Sequence, residues 1–265
     1  MSTLKVNAIR GTGASSDAIS VNSTDGTCTA SLTAIGGAQL SNRNKVINGG
    51  MTISQKHGTS SVALSSTEQY TVDRYKNDIG GGYACDWTAS QSTDAPVGFK
   101  NSLKIENDSA VTPGANENGG MTTFLEGQDL QDFAFGTASA KPMTVSFYAK
   151  AGGSASGTYC LKVSYLDSGG NRKAQTRGFT ITTSWQRFSF TLAANGTSTS
   201  AGIRNTNATG LQLYWHLTCG TGDQTGEITT WGGGTGGLDG LTGQSNFSAD
   251  ASNEFYLTGV QVEVG

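Results

Sequence analysis

The stretch Met143-Thr144-Val145-Ser146-Phe147-Tyr148-Ala149-Lys150 decides the fold class. Apolar side chains recur in it at every second position, which is the period of a β-strand with one buried face. The same alternation returns in residues 159–165 and in residues 211–217, where the polar positions include Gln212, Tyr214 and His216. No stretch of the sequence sustains a helical period. The sequence therefore predicts an all-β protein.

Strands of this length, joined by glycine-rich turns, predict an antiparallel two-sheet β-sandwich of the jelly-roll type. In the last strand, residues 255–264, the apolar phase shifts around Gly259, which indicates a β-bulge. Residues 126–133 are expected to form a loop or a single short turn. Trp87 is expected in a buried strand, and Trp185 in the core or as a lid on it. Four residues are expected on the inner faces of the sheets: Phe147, Val163, Phe190 and Leu213.

The composition limits the classes of function. The chain has 265 residues with 38 glycines, and only 14% of its residues are charged, for a net charge of −3. Such a chain has no broad cationic surface for a phosphate backbone, so no nucleic-acid partner is expected. No apolar run is long enough to cross a bilayer, so no membrane insertion is expected. Aromatic residues make up 8% and fall inside patterned segments, which favours a folded chain over a disordered one.

Residues 1–43 differ from the rest of the chain, because they contain only short alternating pieces and no aromatic residue. A segment this poor in large apolar groups cannot build a core of its own. It is expected either to be ordered by packing against other chains or to be a flexible tether. We interpret it as an extended N-terminal arm for attachment or oligomerisation, and the jelly roll is expected to span residues 44–265. The apolar residues expected to make the contacts of the arm are Leu4, Val6, Ile9, Ile19 and Val21.

Several blocks of the sequence, in order, resemble phage tail-fibre and virion appendage proteins. Residues 44–55, Asn-Lys-Val-Ile-Asn-Gly-Gly-Met-Thr-Ile-Ser-Gln, are similar to the opening block N-x-[LI]-[IL]-N-G-x-[FM]-x-[IV]-x-Q of that family. Residues 70–75, Tyr-Thr-Val-Asp-Arg-Tyr, resemble the strand that follows, and residues 255–265 resemble the closing strand F-x-[IL]-T-G-V-Q-[LV]-E-x-G. The start of the chain, Leu4-Lys5-Val6-Asn7, is also similar to fibre proteins of phages that infect marine cyanobacteria.

The resemblance implies a virion structural protein, a tail fibre or a capsid-surface appendage, whose jelly roll is similar to carbohydrate-binding modules. It implies a location on the phage particle and contact with other virion proteins through the N-terminal arm. It also implies a homotrimer, in which the arm would gain its missing core from symmetry-related copies.

The sequence contains no recognisable catalytic constellation. Its two histidines lie outside any triad context, and the nucleophile-elbow, zinc-protease and Walker motifs are absent. The glycine-rich residues 232–237 precede no helix-forming sequence, so they lack the helix N-terminus that a phosphate loop needs. Paired carboxylates such as Glu126 and Asp129 would serve glycoside hydrolysis only if they faced a common cleft. No catalytic residue and no organic cofactor are therefore assigned.

Glycan binding is the sharper hypothesis. Proteins hold sugars by stacking flat aromatic faces on their C–H patches and by bonding the hydroxyls with polar side chains. One candidate group is the outer face of a strand, with Gln212, Tyr214 and His216. The other is Trp231 in a glycine-rich loop, which is expected either to be exposed as a sugar platform or to cover the sandwich edge or a subunit contact.

A structural calcium ion is a further expectation, because jelly-roll binding modules often carry one as a brace. Calcium takes several carboxylate and carbonyl oxygens from loops. Block position makes Glu126, Asp129 and Glu263 the candidate ligands, although their spacing is unlike that of an EF-hand.

The sequence thus predicts a non-enzymatic virion protein that presents a β-sandwich for attachment to a host-surface glycan. Two alternatives stay open. One is a purely architectural capsid decoration or tail protein without glycan binding, and the weaker one is a glycan depolymerase.

Overall fold

A computed structural model describes residues 8–10, 12, 15, 19–22, 24, 28–30, 44–65, 67–196, 199–233 and 240–265. The chain forms two compact units, Met1–Arg43 and Asn44–Gly265. The first unit contains a three-stranded antiparallel sheet of β1 (Ala8–Ile9), β2 (Ile19–Val21) and β3 (Cys28–Ala30). Ile9 is 53% exposed and Ile19 and Val21 are half-buried, while Leu4 and Val6 lie outside the described residues.

The second unit is a sandwich of two six-stranded antiparallel sheets. Sheet 1 contains, in spatial order, β12 (Gln186–Leu192), β9 (Met143–Gly152), β17 (Glu254–Val264), β7 (Ser102–Asn107), β6 (Trp87–Ser92) and β4 (Val62–Leu64). Sheet 2 contains β15 (Gly232–Gly233), β11 (Arg172–Ile181), β10 (Gly157–Leu166), β13 (Thr209–Cys219), β8 (Asn118–Glu126) and β5 (Tyr75–Gly80). Two short strands, β14 (Gln224–Thr225) and β16 (Gly240–Leu241), pair in parallel outside the two sheets.

The core lies between the two sheets, as the alternating pattern predicts. Phe147, Val163 and Leu213 are fully buried, and Phe190 is half-buried against the same cluster. The ring of Phe147 in sheet 1 meets the ring of Trp215 in sheet 2 edge-to-face, with centroids 5.6 Å apart. Since aromatic pairs of this geometry add to the energy of burial, they help to fix how the sheets pack. The all-β jelly-roll prediction is confirmed.

The predicted bulge in the last strand is confirmed as well. The pairing of β17 with β9 shifts between Thr258 and Gln261, and Gly259 has a φ of +62°. This conformation suits glycine because it has no Cβ to clash with its own backbone.

The expectation for residues 126–133 is wrong in extent. Gly127–Phe133 forms a 3₁₀ helix, and Leu130 and Phe133 are both completely buried. Their three-residue spacing matches the three residues per turn of this helix, so one apolar edge faces the core. The other described helices are Thr199–Ala201 and Phe247–Ala249, and no helix in the described part of the chain is long and apolar enough to span a membrane.

The two tryptophans expected in the core have different environments. Trp87 is buried and its indole N–H donates to Ser248 Oγ at 2.7 Å, as expected for a core residue. The expectation for Trp185 is wrong, because it lies half-buried on the outer face of sheet 1, with its N–H bonded to Asp94 Oδ1 at 3.0 Å. Trp185 is an odd number of positions from the inward-facing Phe188, and strand parity therefore directs it outward.

Candidate functional site

A cavity of ≈ 120 Å³ opens where the outer face of sheet 2 meets its edge strand β5. The chain reaches Tyr70 just before β5, and Tyr70 pairs with Lys76 in an isolated bridge. The tyrosine side chain is 51% exposed, which makes it the most accessible large ring of the cavity. The residues that line the cavity are Tyr70, Arg74, Phe124, Leu125, Glu126, Asn207 and Thr209.

Phe124 supplies a second aromatic surface. It is half-buried on the outer face of β8, and Lys76 Nζ lies 4.7 Å from its ring centroid. Lys76 also forms an ion pair with Glu68, so the ammonium is held from two sides. The cation–π contact fixes the Phe124 ring beside the cavity without burying it.

Arg74 stands at the cavity in a strained backbone conformation, with a φ of +76°. Three side-chain hydrogen bonds hold this turn. Asn48 Nδ2 donates to the carbonyls of Ile53 (2.8 Å) and Asp73 (2.9 Å), and Thr123 Oγ1 donates to the carbonyl of Arg74 (2.9 Å). A non-glycine residue keeps such a φ only where its surroundings over-determine it, so these bonds determine the position of Arg74.

The segment that carries Asn48 is itself anchored to sheet 1. Asn44 Nδ2 donates to the carbonyl of Val260 (3.0 Å), and Asn44 Oδ1 accepts from the N–H of Val262 (2.9 Å). A Cβ at Gly49 would overlap the carbonyl oxygen of Val260, so only glycine allows this close approach. The opening block of the sequence therefore ties the closing strand to the turn of Arg74.

A polar row continues from the cavity across sheet 2. Gln212 is paired with Phe124 in the neighbouring strand, and its Nε2 lies 3.3 Å from Asp78 Oδ2 and 3.1 Å from Thr122 Oγ1. Its Oε1 accepts from Arg172 Nη1 at 2.7 Å. The carboxylate of Asp78 in β5, the amide of Gln212 in β13 and the guanidinium of Arg172 in β11 thus form a polar row across the sheet, which passes beside Phe124 in β8. We define the sheet-2 groove as the cavity plus this row: Tyr70, Arg74, Phe124, Glu126, Asp78, Gln212 and Arg172.

Burial shifts the ionisation of the charged groups in this face. Desolvation raises the pKa of Asp78, and the neighbouring Glu68 raises it further. Desolvation, followed by repulsion from Arg172, lowers the pKa of Lys162 to about 8. Both shifts disfavour charge, as expected for groups held away from bulk water on a strand face.

The first candidate group lies on the outer face of sheet 2, where the strand period places it, but it is not exposed. Gln212, Tyr214 and His216 are 7%, 4% and 0% exposed. At the end that bears His216, β16 packs on β10, β11 and β13, with Leu241 approaching this face near Gly178. Gln212 lies further along β13, where it is bonded to Asp78 and Arg172. Tyr214 is also engaged, because its hydroxyl donates to the carbonyl of Asp78 at 2.6 Å and its ring contacts that of His216. A direct sugar contact for Tyr214 and His216 stays a prediction.

His216 is the least satisfied polar group of this face. Neither ring nitrogen has a hydrogen-bond partner among the described residues. Desolvation, then repulsion from Lys162, lowers the pKa of His216 well below its usual value. The imidazole is therefore neutral at physiological pH, and it packs as an aromatic ring.

Trp231 covers the edge of the sandwich, which is the second of the two roles expected for it. Its indole N–H donates to the carbonyl of Ala193 at 2.6 Å. Its ring is half-buried against Phe135 and Tyr165, with centroids 5.7 Å and 5.0 Å away. The protein itself therefore covers part of this ring, and a sugar contact of Trp231 stays a prediction.

The structure does not bring the candidate calcium ligands together. No three His, Cys, Asp or Glu side chains converge within the described residues. Glu126 accepts a hydrogen bond from Gln128, Asp129 is exposed on the 3₁₀ helix, and Glu263 lies in β17 of sheet 1. Glu126 lies in β8 of sheet 2 and Glu263 in β17 of sheet 1, and a structural calcium ion stays a prediction.

Sequence reasoning missed Tyr70, Phe124 and Arg74 as site residues. Phe124 gave a usable signal, since in a strand two adjacent large apolar residues, Phe124 and Leu125, cannot both face inward. Tyr70 and Arg74 gave none, because they join the cavity through a turn whose geometry depends on Asn48, far away in sequence.

Comparison with known proteins shows similarity only at the level of the fold. No family model and no curated protein matches the sequence. A family 11 carbohydrate-binding module of a cellulosomal cellulase of Clostridium thermocellum aligns over 78% of this chain and 96% of its own, with a TM-score of 0.40 and 10% identity.

Two other solved structures are similar to the same extent. The xylan-binding family 22 module from Paenibacillus barcinonensis Xyn10C aligns over 78% of this chain and 96% of its own, with a TM-score of 0.38 and 13% identity. The enzymatically active domain of tailspike protein 4 of bacteriophage CBA120 aligns over 84% of this chain but only 21% of its own, with a TM-score of 0.41 and 11% identity. Values this low transfer no function to this chain.

Proposed function

We propose that the protein binds a glycan in the sheet-2 groove. The observation that carries the proposal is the exposed ring of Tyr70 beside Phe124, with hydrogen-bonding groups on both sides of the cavity. Sugars bind to such sites because their C–H faces stack on aromatic rings while their hydroxyls replace water at polar side chains. The groups available for the hydroxyls are Arg74, Glu126, Asn207 and Thr209.

The groove is suited to binding because it is built on rigid elements. Phe124 and Gln212 lie on adjacent central strands, and Arg74 is held by three hydrogen bonds to its turn. Side chains on a backbone that is already fixed have less conformational entropy to lose when a ligand arrives. A weak, flat contact with a sugar can therefore still give measurable affinity.

We further propose that the chain is a non-enzymatic virion protein, a tail fibre or capsid-surface appendage, that presents the groove to the host surface. The ordered sequence blocks support this proposal. The unit Met1–Arg43 would attach the chain to other virion proteins and assemble it as a homotrimer. A density map of the intact particle would test both location and stoichiometry, and absence of the protein from purified particles would contradict the proposal.

Glycan binding is tested with Tyr70→Ala and Phe124→Leu on an array of host-surface polysaccharides. Each variant is expected to lower affinity about tenfold, because each removes one stacking surface. Phe124→Leu keeps an apolar side chain at the position, so its fold should survive, which circular dichroism checks.

Trp185→Ala is the matched control, because it removes a half-buried aromatic residue from the outer face of the opposite sheet. It is expected to leave glycan affinity unchanged. Equal binding by the wild type and both groove variants would contradict the proposed site. Release of reducing ends from a bound polysaccharide would favour the depolymerase instead.

A purely architectural role is the second candidate, and exposed apolar side chains favour it. Ile47, Ile53 and Val97 are 57%, 46% and 102% exposed. Exposed apolar residues mark contacts between subunits where they form a contiguous patch. If Ile47→Ser with Ile53→Ser disrupted assembly while no polysaccharide bound to the wild type, the architectural role would replace glycan attachment.

A further inference from the structure

We propose that the glycan bound in the sheet-2 groove carries a carboxylate, and that the guanidinium of Arg74 recognises it. This inference rests on the proposed function and names the class of ligand: an acidic glycan with uronic or sialic acid units. Three observations carry it: Arg74 has no carboxylate partner among the described residues, its backbone conformation is unfavourable, and the groups around it suit an acidic sugar.

Arg74 is a cation without a carboxylate partner in the described part of the chain. Its side chain is exposed, and its one hydrogen bond is a long one of 3.5 Å from Nη2 to the carbonyl of Phe124. A second cation of the groove, Arg172, and the neighbouring Lys76 are both engaged. Lys76 is paired with Glu68, and Arg172 donates to Ser164 and Gln212.

The backbone of Arg74 is held in a conformation that costs conformational energy. A residue with a φ of +76° would ordinarily be glycine, yet the turn places a long, charged side chain there. Asn48 and Thr123 bond the carbonyls of Asp73 and Arg74, so the backbone fixes the direction in which the side chain leaves the turn. Strained non-glycine residues cluster at ligand sites, where the position of the side chain matters.

The chemistry of the cavity favours an anionic sugar over a neutral one and suits a carboxylate. A guanidinium presents a planar fork of donors that matches the two oxygens of a carboxylate. Glu126 on the same cavity repels further negative charge and accepts hydrogen bonds from hydroxyl groups. An acidic sugar offers all three matching features: a carboxylate for Arg74, hydroxyl groups for the polar side chains, and a ring face that can stack on Tyr70.

The test compares polysaccharides that differ only in their carboxylates. Polygalacturonate, alginate, hyaluronan and polysialic acid are each presented beside their methyl-esterified forms, together with dextran sulfate. The wild type is expected to bind at least one acidic form about tenfold more tightly than its ester. Arg74→Gly should abolish this difference while preserving the fold, since glycine suits the left-handed backbone.

Two further variants sharpen the result. Arg74→Lys keeps the charge but loses the planar fork, so it should retain only part of the preference. Arg187→Gln is the control, because it removes an exposed cation from sheet 1, where it bonds Ser146. It should leave the preference intact.

Three outcomes would overturn the inference. They are equal binding of the acid and ester forms, a preference that survives Arg74→Gly, and tighter binding of dextran sulfate than of every carboxylated polymer. If the wild type binds neutral or esterified polysaccharides and Tyr70→Ala abolishes this binding, only the carboxylate inference falls. If the wild type binds no polysaccharide, the proposed function falls with it.

Discussion

Lys162 lies on the outer face of sheet 2, paired with Tyr214 on one side and Thr176 on the other. Burial and the nearby Arg172 lower its pKa from 10.5 to about 8. Below pH 8 the folded protein therefore holds a charged ammonium in an unfavourable environment. A difference of this size corresponds to a cost of about 3 kcal/mol at most.

Lys162→Met is expected to stabilise the protein at pH 7, by about 1 to 3 kcal/mol, because it removes this charge and keeps the stem of the side chain. The gain should shrink between pH 8 and pH 10.5. In that window the unfolded chain binds more protons at Lys162 than the folded chain does, so the stability of the wild type rises relative to the variant. Urea unfolding at pH 7 and pH 10 measures both effects.

Lys104 provides a control of opposite sign. It forms ion pairs with Glu106 and Glu254 on the outer face of sheet 1. Despite some desolvation, bonds to these carboxylates raise its pKa, so the fold favours its charged form. Lys104→Met should therefore lower the stability at pH 7. If both substitutions changed stability in the same direction, local electrostatics would not be the cause.

At the scale of the element, β17 depends on its bulge. Gly259 has a φ of +62°, and a Cβ there would lie 2.7 Å from Phe99 Cζ and 3.0 Å from Tyr148 Cδ2. Gly259→Ala is expected to destabilise the protein by about 2 kcal/mol, since it adds a disfavoured φ to a steric overlap. The midpoint of urea unfolding measures the loss.

Gly243→Ala separates the two causes, because Gly243 has a φ of +76° with no heavy atom within 4 Å of an added Cβ. It should cost about 1 kcal/mol, from the backbone alone. Equal losses for the two variants would show that the contact with Phe99 and Tyr148 contributes nothing.

The sequence predicts strands better than it predicts what covers them. The alternation in Met143–Gly152 and the phase shift at Gly259 are local signals, and both features are present in the structure. The burial of His216 has no local signal, because it comes from β16, a strand of two residues that is distant in sequence. Trp185 gives a second lesson. A tryptophan next to a strand belongs to the core only if it is an even number of positions from an inward-facing residue, and Trp185 is an odd number from Phe188.

At the scale of the whole molecule, the groove is assembled from distant parts of the chain. Tyr70, Phe124 and Asn207 become neighbours only because β5, β8 and β13 are adjacent in sheet 2. A single sequence contains no information on strand order beyond its hairpins. This is why the fold class could be predicted from the pattern while the cavity could not.

The sandwich should fold and bind without the first unit, and the point at which the chain begins should matter. A chain that starts at Asn44 keeps the bonds of Asn44 to Val260 and Val262 and those of Asn48 to the turn of Arg74. A chain that starts at Thr52 loses all of them.

The first should unfold in one cooperative urea transition and bind glycans within about twofold of the full chain. The second should be less stable and lose the groove, because of the three side-chain bonds at this turn only that of Thr123 is left to hold Arg74 at its unfavourable φ. Affinity measurements on the two chains, with circular dichroism for the fold, check this. Equal binding by both would mean that the turn is held by sheet 2 alone and that the opening block has a different role.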